Sequence, residues 1–112
     1  VTTRKSAARL DRAETRGDKP RVLRVRLSTG LARAIQRRSG VAVFQALQHG
    51  KRDYMFESSD AGAVRAFWIA LTAVYYHAPS GSGGRAIAEA AGAKRAELLA
   101  TIQDVWPEAL TE

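Results

Sequence analysis

Only two histidines, His49 and His77, are present, and no cluster of His, Asp or Glu stands at ligand spacing beside either. A metal site is therefore not expected. His49, next to Gly50, reads as a turn residue, and His77 as a cation at a helix end. Asp53, Glu57 and Asp60 fit solvated strand and cap positions better than an acid–base pair. There is no Ser/His/Asp pattern, and the glycines of "SGSGG" lack the preceding strand and following lysine that a phosphate loop needs. Cysteine is absent, which excludes disulfides and thiolate–metal chemistry and favours an intracellular setting. The chain thus reads as a binding protein rather than an enzyme, with no cofactor expected.

The residue type that does stand out is arginine. Residues 1–38 hold twelve Lys or Arg against Asp11, Glu14 and Asp18, a balance of +9, whereas residues 39–112 hold six against eight, a balance of −2. A block of one sign is the footprint expected where a polyanion is bound. The expected contacts are Arg4, Lys5, Arg9 and Arg12 in an N-terminal arm, Arg24 and Arg26 on a strand, and Arg33, Arg37 and Arg38 on the next element. Binding of DNA or RNA through these groups would be mainly electrostatic, by phosphate neutralisation with little base readout. The competing class is a small structural subunit of a larger protein or ribonucleoprotein assembly, its arm threaded between neighbours.

These side chains must be positioned by the elements around them. Residues 1–20 offer only Val1 and Leu10 as large apolar side chains, so they read as a flexible basic arm, and residues 21–112 as a single domain. The start at Val1, without an initiator methionine, is expected of a processed or trimmed chain. Residues 21–27 alternate: Leu23, Val25 and Leu27 take one side and Val22, Arg24 and Arg26 the other, the pattern of a half-buried strand with a basic face. Residues 31–39 fit a helix better than a strand. A strand would mix Leu31, Arg33, Ile35 and Arg37 on one face, whereas a helix aligns Leu31, Ala34, Ile35 and Arg38, with Ser28 or Thr29 as N-cap and Gly40 after its end. Residues 41–48 and 53–58 read as two strands around "HGKR". On the second, Tyr54 and Phe56 share a face and, with Phe44, could stack on bases or instead build the core.

A long helix follows from a Ser59 or Asp60 cap to about His77, with a main stripe of Val64, Phe67, Trp68, Leu71, Val74 and Tyr75 and a second apolar side that includes Ile69. Two apolar sides predict a sandwiched helix and, through the second, a homodimer or larger assembly. Residues 79–84, "PSGSGG", form a connector, and a last helix spans 85–106, stopped by Pro107. Within it, "RAIAEAAGAKRAELL", residues 85–99, resembles the helix-turn-helix of many repressors, with Ala91-Gly92 at the turn. That resemblance implies Lys94 and Arg95 at the start of a recognition helix; an alanine-rich helix with a glycine kink is the other reading. The longest uncharged apolar run, residues 66–76, is too short for a membrane span. The fold class expected is α+β, a small antiparallel β-sheet packed on C-terminal helices in the order β-α-β-β-α-α. The alternative is a four-stranded meander followed by two helices, broadly similar in outline to single-strand binders of the coactivator and Whirly type.

Overall fold

The computed structural model describes residues 12–13, 15–16, 21–48 and 51–110. Arg12–Ala13 and Thr15–Arg16 are extended dipeptides; the rest of the basic arm, including Arg4, Lys5 and Arg9, lies outside the described residues. Strand β1, Leu23–Leu27, has the expected alternation, with Leu23, Val25 and Leu27 buried and Arg24 and Arg26 exposed. Ser28 then turns the chain into helix α1, Thr29–Ser39, its Oγ accepting from the Leu31 N–H at 3.4 Å. Gly40 closes the helix at φ 71°, a left-handed conformation in which glycine carries no Cβ penalty, and its N–H bonds to the Gln36 carbonyl. Leu31, Ala32, Ala34 and Ile35 are buried, so the helical reading of this segment holds and the four-stranded meander does not form.

Strands β2, Phe44–Gln48, and β3, Lys51–Ser58, follow. The connection is shorter than the sequence implies: Gln48 pairs with Lys51, which brings Lys51 and Arg52 into the ladder. The sheet is antiparallel with β3 central, flanked by β1 and β2. Asp60 caps helix α2, Ala61–Tyr76, through Oδ2, which accepts from the Ala63 N–H at 2.8 Å. Helix α3, Gly84–Val105, ends at Trp106, and a short 3₁₀ turn, Pro107–Leu110, folds back on it. From residue 21 the chain is thus α+β, β-α-β-β-α-α, with its two long helices C-terminal to the sheet. No described helix is long and apolar enough to cross a membrane.

The core lies between the inner sheet face and the helices. Val25, Leu27 and Phe56 from the sheet meet Leu31 and Ile35 of α1, Val64, Phe67, Leu71 and Val74 of α2, and Ile102 and Trp106 at the far end of α3. Burying side chains of this kind contributes roughly 1.5–3 kcal/mol each before entropy is counted, which makes this cluster the source of the fold's stability. Residues 85–99 form no helix-turn-helix, because α3 runs unbroken through Gly92. The glycine serves tertiary packing: a Cβ there would lie 2.6 Å from Tyr75 Cε1, so its absence lets α2 and α3 approach closely. Gly84 has a similar role, since a Cβ at that position would collide with the Pro79 carbonyl oxygen.

Candidate nucleic-acid interface

The expected arginines divide between two layers of the molecule. In register, Arg24 opposes Glu57 and Arg26 opposes Met55, all on the outer sheet face away from the core. There Arg24 Nε donates to Glu57 Oε2 at 2.7 Å, and Asp53 follows two residues before Met55 on the same alternation. Arg26 is also engaged rather than free. Among the described side chains this face therefore balances two guanidiniums against two carboxylates. Those carboxylates offset the attraction of Arg24 and Arg26 for a phosphate chain, although an exposed pair of this kind contributes little to stability.

Helix α1 carries Arg33, Arg37 and Arg38 and no acidic residue. All three are exposed, because the helix turns Leu31, Ala34 and Ile35 inward and leaves Arg33, Gln36 and Arg37 on the opposite flank. Arg38 Nη2 donates to the His77 carbonyl at 3.1 Å, which ties the end of α1 to the end of α2. Arg37 stands at the junction of two clefts. One, of about 470 Å³, runs between Ala34, Arg37 and Arg38 and the segment Ala78, Pro79 and Ser80. The other, about 280 Å³, lies over Arg33, Gln36 and Arg37. No hydrogen bond or ion pair joins Arg33 or Arg37 to another described residue. The two are one helical turn apart, about 6 Å between Cβ atoms, so they can neutralise neighbouring phosphates of one strand. Gly81 and Gly83, both at positive φ, keep the facing loop free of bulk.

The aromatic stacking surface is not formed by Phe56, which is 2% exposed and stacks on Phe67 with centroids 4.3 Å apart. Tyr54 packs against the same core. Among the described residues no group of three or more His, Asp or Glu side chains is placed to hold a metal ion. A cation–aromatic cluster joins α2 and α3. Arg95 of α3 lies over Trp68, Tyr75 and Tyr76, at 5.1, 5.4 and 5.6 Å from the ring centroids, and its Nε donates to Thr72 Oγ1 at 3.0 Å. Arg95 is thus a packing residue against α2, not the start of a recognition helix. Nothing in the local sequence signals this, since Arg95 and Trp68 meet only through the antiparallel docking of two helices. No protein-family model, curated protein or solved structure matches this chain.

Proposed function

We propose that the protein binds nucleic acid, DNA or RNA, by phosphate-backbone contacts from the α1 flank, extended by the basic arm that precedes β1. The observation that carries this reading is the exposed pair Arg33 and Arg37, without partners among the described residues, on a helix with no carboxylate of its own. Arg38 is held beside them by its bond to the His77 carbonyl. The outer sheet face, with Arg24 paired to Glu57, takes a lesser part. Sequence discrimination would be weak, because backbone contacts fix position without reading base edges.

The test is fluorescence anisotropy of a labelled duplex and of one of its strands, titrated with full-length protein over a potassium chloride series. Five to six phosphate contacts give a slope of log affinity against log salt of about −4.5 to −5.5 for duplex, and a shallower one for the single strand. Absence of binding at the lowest salt would end the proposal. A subunit role in a larger assembly is the second reading, and the exposed apolar side chains Ile69 and Tyr76 favour it. It would show as weak, salt-insensitive interaction with either oligonucleotide.

A further inference from the structure

A cleft of about 330 Å³ lies on the α2–α3 side, lined by Arg65, Trp68, Ile69 and Thr72 of α2, Arg95 of α3, and Ala109 and Leu110 of the final turn. Among the described residues two guanidiniums line it and no carboxylate does. Ile69, 54% exposed, offers its side chain to solvent on a wall it shares with Ala109 and Leu110. Arg95 is held in place from several directions: its guanidinium sits over three rings, and Thr72 takes its Nε–H. No described residue bonds the Nη edge of Arg95, and none pairs with Arg65.

We infer that this cleft is a binding site for a small carboxylate with an apolar body. The Nη edge of a fixed guanidinium matches two carboxylate oxygens, and pre-organisation reduces the entropy lost on binding. Arg65 supplies a second positive charge, while Ile69 and Leu110 suit a hydrocarbon chain or ring rather than a strongly hydrated phosphate. The volume is near the lower end of the range for small-molecule sites, which matches a ligand of roughly ten heavy atoms. A second copy of this chain is a poorer occupant. A two-fold contact centred here would bring four guanidiniums together with no carboxylate among the described lining residues to offset them.

Isothermal titration of the full chain with octanoate, octanol and inorganic phosphate tests the inference. Octanoate should bind at least about tenfold tighter than octanol, the scale of one charge-assisted bidentate contact, and phosphate should bind no better than octanol. Arg65→Gln, at an exposed position outside the core, should weaken octanoate several-fold, and Arg95→Lys, which keeps the charge and loses the fork, by about tenfold. Circular dichroism confirms that each variant is folded. Equal binding of octanol would reduce the cleft to an apolar patch, equal binding of phosphate to a nonspecific cationic one, and unchanged octanoate affinity in both variants would place the ligand elsewhere. Each of these overturns the assignment. So would protein dimerisation that octanoate does not disturb and that Ile69→Asp abolishes.

Discussion

Gly92→Ala is a substitution whose sign depends on which account of α3 is right. Within an isolated helix the change stabilises by about 1 kcal/mol, because alanine loses less backbone entropy than glycine. Here the new Cβ would sit 2.6 Å from Tyr75 Cε1 and 2.8 Å from Cδ1, about 1 Å inside ordinary contact. The ring would have to leave its place between Tyr76, 4.8 Å away edge-on, and the guanidinium of Arg95. Losing an aromatic pair costs about 0.5–1.5 kcal/mol, and a partly exposed cation–π contact about 0.5–1 kcal/mol. The balance is a net destabilisation of up to about 1.5 kcal/mol once the propensity gain is deducted. In a Tyr75→Ala background the obstruction is gone, and the same Gly92→Ala change should stabilise by about 1 kcal/mol. Urea denaturation of the four proteins in this double-mutant cycle gives both values. Stabilisation in the parent background, or destabilisation in the Tyr75→Ala background, would refute the close-approach explanation. The latter result would be the one expected had Gly92 formed the turn of a helix-turn-helix.

Three further outcomes follow from the packing and the caps. Gly84→Ala should be more damaging than Gly92→Ala, because the atom it meets is a backbone carbonyl rather than a side chain; thermal unfolding should show the larger loss. Asp60→Ala should cost about 1 kcal/mol by denaturant titration, and Ser28→Ala less, since the Asp60 cap bond is 2.8 Å long and the Ser28 one 3.4 Å. Phe56→Ala removes one ring of the Phe56–Phe67 stack from the buried core and should cost about 3–5 kcal/mol, seen as a large fall in the urea midpoint or as failure to fold.

Element order was legible because its signals are local. The alternation over residues 21–27 and the mixed faces that a strand would have imposed on residues 31–39 are properties of adjacent side chains, and the structure has β1 and α1 there. Facts that depend on two distant segments were not legible. The glycine at position 92 looked like a turn or a kink because its reason, Tyr75, lies on another helix. Tyr54 and Phe56 were placed on one face correctly, but only the position of Phe67 decides that this face is the core. The basic residues were read as one surface, whereas the register that pairs Arg24 with Glu57 puts two of them on the sheet layer, apart from Arg33 and Arg37. The Arg65–Arg95 cleft joins side chains on separate helices and has no counterpart in local sequence.

In the proposed complex α1, more than the outer sheet face, holds the phosphates. The most direct measurement compares the salt dependence of duplex binding for the full chain, for Arg33→Gln/Arg37→Gln and for Arg24→Gln/Arg26→Gln, by anisotropy at matched protein stability. Each phosphate contact contributes about 0.9 to the slope of log affinity against log salt, so loss of the α1 pair should make it shallower by about 1.8. Loss of the sheet pair should change it by less than about 0.9, because Arg24 is already matched by Glu57. An unchanged slope in the α1 variant, with the full decrease in the sheet variant, would contradict the account.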